Sequence, residues 1–267
     1  MRDREAARLV DFYEHAYTAE DPARGELYGR WRALGAAGKA DHVIGLCAAA
    51  GIAPQRTIEI GCGDGALLGE LGRRGFGGRL CGVEIAPAAV EIAGRRAEIE
   101  DVALYDGRHL ECGDGTYELG ILSHVLEHVH DPAGLLAEAG RACGAVVMEV
   151  PLEANVSARR AAKREHAAEV GHLQRLDRAA ARDIVARAGM RIAGELEDPL
   201  GREAATFFAT STPARARASA KWALRGAAHR LWPAAARRLF TVHYACLCLP
   251  AGGPRPAGGP RLSSGAG

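Results

Sequence analysis

The stretch from Arg56 to Gly65, R-T-I-E-I-G-C-G-D-G, predicts the fold of this chain. Its first half is a short β-branched run, which is typical of a buried strand, and its second half carries glycine at every other position. A helical pattern follows directly. A strand that passes through a glycine-rich turn into a helix begins an open α/β sheet, and such a turn is where these sheets bind ligands.

Strand and helix patterns alternate along most of the chain. We predict strands near 56–60, 79–85, 102–105, 117–123, 145–150, 190–196 and 241–249, and helices near 3–20, 36–50, 65–74, 87–99, 132–142 and 177–188. Because strands that alternate with helices form βαβ units, we expect an α/β, doubly wound, mostly parallel sheet with helices on both faces. We expect three parts: an N-terminal helical cap at 1–50, a sheet domain at 51–250, and a disordered Pro/Gly/Ser-rich tail at 251–267.

Composition excludes several classes of protein. Hydrophobic residues make up 48% of the chain and charged residues 25%, and no apolar run approaches the ~20 residues of a membrane span. The first residues carry acids and lack the apolar segment of a secretory signal. The seven cysteines form no C-x-x-C pair, which argues against a zinc ribbon or a thioredoxin-like site. We therefore expect a soluble, cytoplasmic protein.

The chain becomes basic after Glu203, its last acidic residue. Nine arginines and lysines follow, within and beyond a helical insertion predicted at 205–240. Arg217, Lys221 and Arg225 repeat at the spacing of one helix face, so this segment could clamp an anionic acceptor. It could also be a solvated helix face. A third possibility is peripheral contact of 214–240 with an anionic membrane, through the aromatic residues Trp222, Trp232 and Phe240.

The glycine turn is compatible with two kinds of cofactor. Gly61, Gly63 and Ala66 fit the G-x-G-x-x-A dinucleotide pattern, and the acidic Glu84 follows at the end of the next strand. On this pattern alone, an NAD(P)-dependent oxidoreductase is a fair alternative.

The residues around the turn favour the other cofactor. With Glu59, the turn reads E-x-G-x-G-x-G, which resembles the first motif of class I S-adenosylmethionine-dependent methyltransferases. The resemblance continues through L-C-G-V-E-I-A-P-A-A-V-E-I-A at 80–93, Y-D-G at 105–107, Y-E-L-G-I-L-S-H-V-L-E-H-V-H-D-P at 117–132 and G-H-L-Q-R-L-D at 171–177. The ubiquinone-pathway O-methyltransferases are the most similar group.

The resemblance implies a fold and a cofactor site. The family has a seven-stranded Rossmann-like sheet whose last strand is antiparallel and lies between the fifth and sixth. By analogy, Glu84 accepts both ribose hydroxyls of S-adenosylmethionine, and Asp106 faces the adenine amino group near the Gly107 amide. The implied cofactor-binding residues are Glu59, Gly61, Cys62, Gly63, Gly65, Glu84, Ile85, Asp106, Gly107 and Ser123.

The segment S-H-V-L-E-H-V-H-D-P at 123–132 contains H-x-x-E-H, a zinc motif of one metalloprotease class. A protease needs this motif on a long helix, whereas here it follows a strand and stops at Asp131-Pro132. The ubiquinone-pathway relatives carry E-x-x-E-H here with a divalent ion implicated, but this chain has His124 in place of the first Glu. We therefore assign no metal ligand, and expect Glu127 and His128 to brace the loop.

Histidines supply the catalytic candidates. An imidazole titrates near neutral pH, so it can take a proton from an acceptor during methyl transfer. We rank His124 first and His172 second, with His166 as a further alternative. Aromatic residues near the N-terminus could close over the site or belong to the core; they are Tyr13, Tyr17, Tyr28 and Trp31.

The acceptor is expected to be a small molecule. The strand-four motif is S-H-V-L rather than the N/D-P-P-Y/F of enzymes that methylate exocyclic base amines or glutamine amides, so nucleic acid is an unlikely partner. The predicted function is methyl transfer to oxygen or nitrogen, in secondary-metabolite or quinone-type biosynthesis. The alternatives are the NAD(P) oxidoreductase and a cofactor-binding module without catalysis.

Overall fold

The structure is a computed structural model that describes residue 17 and residues 22–169, 171–199 and 201–252. The predicted helix at 3–20, apart from Tyr17, and nearly all of the predicted tail at 251–267 lie outside the described residues, as does Tyr13.

A single seven-stranded sheet forms the centre of the described chain, in the order β3-β2-β1-β4-β5-β7-β6. Strands β1 to β5 are parallel to one another, and β7 runs antiparallel to both β5 and β6. This confirms the predicted doubly wound sheet with its last strand inserted between the fifth and sixth. The strands are β1 Arg56–Ile60, β2 Arg79–Glu84, β3 Asp101–Leu104, β4 Tyr117–Ser123, β5 Cys143–Pro151, β6 Met190–Asp198 and β7 His243–Pro250.

Nine α-helices are described around this sheet: α1 Pro22–Ala49, α2 Ala66–Arg73, α3 Pro87–Ala93, α4 Pro132–Ala142, α5 Ala161–Glu169, α6 Arg178–Arg187, α7 Arg202–Thr206, α8 Thr212–Leu231 and α9 Pro233–Leu239. Asp131 caps α4 by accepting from the Gly134 amide, and Asp177 caps α6 by accepting from the Ala180 amide. None of the described helices is long and apolar enough to cross a membrane.

Three helices differ from their sequence-based predictions. The helix expected at 36–50 begins earlier, at Pro22. Its first part was not predicted because it lacks the apolar periodicity on which the prediction depended. The helix expected at 87–99 ends at Ala93, where Gly94 interrupts it. Helix α5 was not predicted at all.

Two clusters of buried side chains pack on the two faces of the sheet. Because neighbouring residues of a strand point to opposite faces, Val146 and Met148 of β5 join one cluster while Ala145 and Val147 join the other. The centre of the sheet is therefore buried on both sides, and its functional surface is left at the strand ends.

The carboxyl ends of β1 and β4 meet at the point where the sheet reverses its winding, since β2 and β3 lie on one side of β1 and β4 and β5 on the other. Open α/β sheets bind ligands at this position. Because β7 is antiparallel, it begins at the same edge: His243 pairs with Pro151 of β5 and with Asp198 of β6. Residues from the two halves of the sheet are thus brought together there.

Candidate functional site

The glycine turn after β1 has a backbone that only glycine adopts easily. The φ angles are +73° at Gly61, +55° at Gly63 and +70° at Gly65, all in the left-handed region. The amides of Gly61 and Cys62 both donate to the carbonyl oxygen of Val83, at 2.8 and 3.1 Å. Two backbone hydrogen bonds therefore hold the turn against the end of β2.

Glu84 connects the glycine turn to the loop after β2. Its Oε2 accepts a hydrogen bond of 2.8 Å from the Gly63 amide, and its Oε1 accepts from the amides of Ile85 and Ala86 at 2.6 and 3.2 Å. The side chain is buried, which raises its pKa, while these three amides act in the opposite direction. Oε1 already accepts two hydrogen bonds, whereas Oε2 accepts one and has a second lone pair for a ligand.

Asp106 lies on the surface after β3. It accepts hydrogen bonds of 2.7 Å from the amides of Arg108 and His109, and its Oδ2 lies 3.0 Å from Nδ1 of His109. Partial burial raises its pKa, but the hydrogen bonds from His109 and Arg108 outweigh this and lower it. A Cβ at Gly107, whose φ is +78°, would lie 3.4 Å from Ile85. This turn therefore adjoins the loop after β2.

Two buried oxygens at the ends of β1 and β4 have no hydrogen-bond partner within the described chain: Glu59 Oε2 and Ser123 Oγ. Burial raises the pKa of Glu59 to about 8, against the opposing effect of nearby Lys39. Buried polar groups without a partner cost free energy unless a ligand or water satisfies them. Glu59 lies two residues before the glycine turn, and Ser123 ends the neighbouring strand β4, so both unpaired oxygens lie at the edge of the sheet that carries the turn.

Tyr17 and α1 cover the glycine turn. A Cβ at Gly63 would lie 2.5 Å from the Tyr17 hydroxyl, and the Arg32 guanidinium lies over the Tyr17 ring, 4.9 Å from its centroid. Arg32 Nε donates to buried Asp64 at 2.6 Å. Tyr28 and Trp31 instead pack against Phe208, with ring centroids 6.1 Å apart. Of the three aromatic candidates within the described residues, Tyr17 is therefore the one placed against the glycine turn.

His124 has an unusual backbone and a central position at this edge. Its φ is +58°, which makes it the one non-glycine residue of the described chain with a positive φ. Such a conformation costs on the order of 1–3 kcal/mol, and it persists where surrounding contacts hold it. His124 Nδ1 lies 3.2 Å from Glu127 Oε1, and Nε2 lies 3.2 Å from Glu149 Oε1. His124 thus joins two carboxylates that are almost completely buried.

Glu149 is the centre of a group of histidines. Only 2% of its side chain is exposed, and besides His124 it contacts His42 Nδ1 at 2.9 Å and His243 Nδ1 at 3.4 Å. His42 Nε2 lies 3.2 Å from Asp198. The rings of His124 and His243 meet edge to face, with centroids 4.8 Å apart. We call Glu149 and the three rings His42, His124 and His243 the Glu149 cluster.

The protonation of the Glu149 cluster follows from burial and charge. Burial favours neutral forms, yet Asp198 and Glu149 together raise the pKa of His42 to about 9. The pKa of His124 is also raised despite burial, through Glu127 and Glu149. Burial dominates at His243 and lowers its pKa, and the surrounding histidines hold the pKa of Glu149 well below its usual range.

Glu127, His128 and His172 form a second group beside the first. His172 Nδ1 lies 2.7 Å from Glu153 Oε2, and its ring meets the His128 ring edge to face with centroids 4.7 Å apart. His128 Nδ1 lies 3.1 Å from the carbonyl oxygen of Gly171. The Glu127 backbone carbonyl accepts hydrogen bonds from the amides of Leu173 and Gln174. The Glu127–His128 pair therefore holds the loop after β4 against the segment before α6, as expected.

The structure brings most of the predicted residues to one edge of the sheet, but sequence reasoning missed Arg32, His42, Glu149 and His243. One signal for Glu149 was available, because it is the single charged residue within the apolar run of β5. Burial of a charge in a central strand requires partners. His42 and His243 gave no comparable signal, since they are distant in sequence from Glu149.

Comparison with known proteins identifies the family to which this chain belongs. The profile described as a methyltransferase domain matches residues 28–193. An uncharacterized 37.1 kDa protein in transposon TN4556 of Streptomyces fradiae is 36% identical over 104 residues, which are 36% of this chain and 30% of that protein. A ubiquinone biosynthesis O-methyltransferase of Acinetobacter baylyi is 30% identical over 105 residues, which are 37% of this chain and 42% of that protein. The matches to these curated relatives thus span less than half of their length.

Solved structures confirm the fold. Geranyl diphosphate C-methyltransferase from Streptomyces coelicolor A3(2), in complex with Mg²⁺, geranyl diphosphate and S-adenosyl-L-homocysteine, aligns with a TM-score of 0.57 at 16% identity, covering 80% of this chain and 77% of that one. Magnesium protoporphyrin IX methyltransferase from Synechocystis PCC 6803, with bound S-adenosylhomocysteine, aligns with a TM-score of 0.54 at 14% identity, covering 92% and 99%. At these sequence identities, the comparison supports the fold alone.

Proposed function

Since this chain belongs to the class I S-adenosylmethionine-dependent methyltransferases, we propose that it transfers a methyl group to an oxygen or nitrogen of a small-molecule acceptor, in secondary-metabolite or quinone-type biosynthesis. The observation that carries this proposal is the glycine turn, with three left-handed glycines at the switch point of the sheet and the Glu84 carboxylate bound to its Gly63 amide. The ubiquinone-pathway relative agrees with this proposal but matches too little of the chain to identify the acceptor.

The residues present fit S-adenosylmethionine. A Cβ at Gly61 would come 2.7 Å from Val125 and one at Gly63 would come 2.5 Å from Tyr17, so the backbone of the turn requires glycine at both positions. Buried Glu59 Oε2 and Ser123 Oγ lack partners in the described chain, and a cofactor that carries an ammonium group and hydroxyls could satisfy such oxygens.

We assign the cofactor contacts by position. Glu84 would accept hydrogen bonds from the ribose hydroxyls, since it already holds the turn in place and its Oε2 keeps one lone pair. Asp106, Gly107 and Ile85 would border the adenine, where His109 and Arg108 already contact both oxygens of Asp106. The backbone of Gly61, Cys62, Gly63 and Gly65 would pass under the rest, beside Glu59 and Ser123. When bound, the cofactor supplies an electrophilic methyl carbon on a sulfonium.

The acceptor would lie over the ends of β4 and β5. This edge carries carboxylates and imidazoles rather than an apolar surface, which suits an acceptor whose hydroxyl or amine must lose a proton. His124 and His172 are the proposed catalytic residues. His124 directly follows β4, and His172 lies in the loop before α6 with its ring against that of His128. Glu153 would hold the His172 ring through the 2.7 Å contact at Nδ1.

Calorimetry of the purified protein with S-adenosylhomocysteine and with NAD separates the proposal from the oxidoreductase alternative. We expect micromolar binding of S-adenosylhomocysteine only; binding of NAD alone would refute the proposal. Transfer of a labelled methyl group to a panel of phenols, amines and carboxylates then tests for a module that binds the cofactor without catalysis. Turnover of any acceptor in the panel would exclude that alternative.

We also propose that α8 and α9 contact an anionic membrane surface. Large apolar side chains are exposed among the basic residues of these helices, with exposed fractions of 72% at Leu224, 65% at Leu231 and 66% at Trp232. One expectation needs correction, because Phe240 is 8% exposed and packs under Arg225 with 5.3 Å from Cζ to the ring centroid. Phe240 therefore belongs to the core rather than to this surface.

A further inference from the structure

Three potential ligand atoms converge at the edge of the sheet, and each comes from a different element. Glu149 Oε1 of β5 lies 3.2 Å from His124 Nε2, which follows β4, and 3.4 Å from His243 Nδ1 of β7. All three atoms lie within 4.8 Å of one another. The histidine side chains are 23% and 21% exposed, whereas that of Glu149 is 2% exposed. The group is therefore anchored on its buried side and accessible from the other.

These separations are close to those of a metal site. Zinc binds imidazole nitrogen at about 2.0–2.1 Å and carboxylate oxygen at about 2.0–2.2 Å, so two ligands at tetrahedral angles lie roughly 3.3–3.5 Å apart. The two observed separations from Glu149 Oε1 to the histidine nitrogens, 3.2 and 3.4 Å, lie within about 0.1 Å of that range. The two histidine nitrogens lie within 4.8 Å of each other, and a cation that binds all three atoms would bring them to a comparable separation.

The outer contacts of this group are those that metal ligands require. A metal-bound histidine commonly has a carboxylate on its other nitrogen, and a metal-bound carboxylate is itself hydrogen-bonded. Here Glu127 Oε1 lies 3.2 Å from His124 Nδ1, and His42 Nδ1 lies 2.9 Å from Glu149 Oε2. Asp198 in turn holds His42 at 3.2 Å. Glu127 and His42 would therefore orient the ligands without occupying the three converging atoms.

Charge also favours a cation here. Glu127 and Glu149 are 1% and 2% exposed, and neither Glu127 oxygen has a hydrogen-bond partner within the described chain, although His124 forms an ion pair with it. A buried carboxylate that lacks hydrogen bonds is costly unless a positive charge compensates it. A divalent ion between His124 and Glu149 would provide that charge.

We propose that His124, His243 and Glu149 bind one divalent transition-metal ion. Two imidazoles and one carboxylate favour zinc, iron, cobalt or nickel over magnesium and calcium, which prefer oxygen ligands. Three protein ligands leave at least one coordination position open, as in catalytic metal sites. This proposal replaces the initial expectation that the chain has no metal ligands.

If the proposed function holds, the open coordination position gives the ion a role in methyl transfer. The site lies beyond β4 and β5, on the same edge as the glycine turn, where the acceptor is proposed to bind. An ion there would coordinate an acceptor oxygen and stabilise its deprotonated form. His124 would then be a ligand and not the proton acceptor, which leaves the His172–Glu153 pair, or water, to take the proton.

Metal binding by the tag-free, full-length protein tests the site. After treatment with a chelator, the protein is titrated with Co²⁺, followed by visible absorption, and with Zn²⁺, followed by calorimetry and elemental analysis. We expect one ion per chain and a Co²⁺ spectrum typical of nitrogen and oxygen ligands. His243→Gln should weaken binding at least tenfold, whereas His130→Gln, which changes an exposed histidine of the same loop, should leave it unchanged. Absence of binding by the wild-type protein would overturn the proposal.

Two further variants keep the test decisive if His243→Gln does not fold. His42→Gln removes an outer contact and should weaken binding about 10- to 100-fold, while His172→Gln should have little effect. Loss of the ion in His172→Gln with retention in His42→Gln would place it instead at Glu127, His128 and His172, and would refute the site proposed here. If the protein binds S-adenosylhomocysteine but neither metal, the metal proposal alone fails; if it binds a metal but not S-adenosylhomocysteine, the methyltransferase proposal alone fails.

Discussion

Val125 lies against the backbone of Gly61, so closely that a Cβ at Gly61 would come 2.7 Å from Val125 Cγ2. This contact joins the turn after β1 to the loop after β4, across the switch point of the sheet. Gly61→Ala would add both a steric conflict and a strained φ. We expect it to lower the free energy of unfolding by about 1–3 kcal/mol and to weaken S-adenosylhomocysteine binding more than tenfold.

Gly75→Ala is a matched control for that variant. Gly75 also has a positive φ, +67°, but a Cβ there would meet no atom within 4 Å. It should therefore show the conformational cost alone, about 1 kcal/mol, and unchanged cofactor affinity. Adding Val125→Ala to Gly61→Ala should restore part of the lost stability; equal stability of the single and double variants in urea denaturation would refute the contact.

Glu84→Ala tests the ribose assignment. Loss of a charged acceptor should weaken S-adenosylhomocysteine binding by about 1–3 kcal/mol. The control is Glu91→Ala on α3, whose side chain is 68% exposed and pairs with Arg95, and calorimetry should find its affinity equal to that of the wild type. Unchanged affinity in Glu84→Ala would remove Glu84 from the cofactor site.

Glu59 makes stability depend on pH. Burial raises its pKa from 4.5 to about 8 in the folded protein, so the folded state holds this proton more tightly than the unfolded state. Stability is therefore lost as pH rises between these two values. We expect the free energy of unfolding of Glu59→Gln to rise relative to that of the wild type as the pH increases from 5 to 8. Parallel pH profiles of the two proteins would contradict this.

Glu195 has the opposite dependence. Burial tends to raise its pKa, but contacts from Arg182, Tyr244 and Arg178 prevail and lower it to about 2. The stabilisation is present above the usual value of 4.5 and is lost as pH falls towards 2. After a discount for its partly exposed arginine partners, we expect Glu195→Gln to cost about 1–2 kcal/mol at pH 7 and much less at pH 3. Urea denaturation at the two pH values measures this, and an equal cost at both would refute it.

Vesicle sedimentation tests the membrane surface of α8 and α9. We expect binding to vesicles that contain phosphatidylserine at low salt, loss at high salt, and loss in the double variant Leu231→Ser/Trp232→Ser. Leu104→Ser is the control, because this side chain is 58% exposed on β3 at the far edge of the sheet. Absence of binding at low salt would refute the proposal.

The sequence was sufficient for the sheet because its signals are local. The β-branched run before Gly61 and the alternation of strands and helices give the order of elements, and β7 followed from the family resemblance. The end of α3 at Ala93 was missed because the apolar pattern continues beyond Gly94, whereas the helix does not. The low helix propensity of Gly94 outweighed the apolar periodicity at this point.

The Glu149 cluster could not be predicted, because its contacts join distant parts of the chain. His42 and Glu149 are 107 positions apart in sequence, and His243 reaches Glu149 only through the antiparallel pairing of β7. The motif around His124 was visible, but its histidine was interpreted without these partners. Its positive φ is likewise a tertiary property that no residue pattern indicates.

The position of β7 has a consequence for biosynthesis. It is the last of the seven strands to leave the ribosome, yet it fills the gap between β5 and β6, which are complete earlier. Until it arrives, a nascent chain has an unpaired edge on β5, the kind of edge that promotes association between chains. His243 arrives with that strand, so the proposed metal site would be complete only when the sheet itself closes.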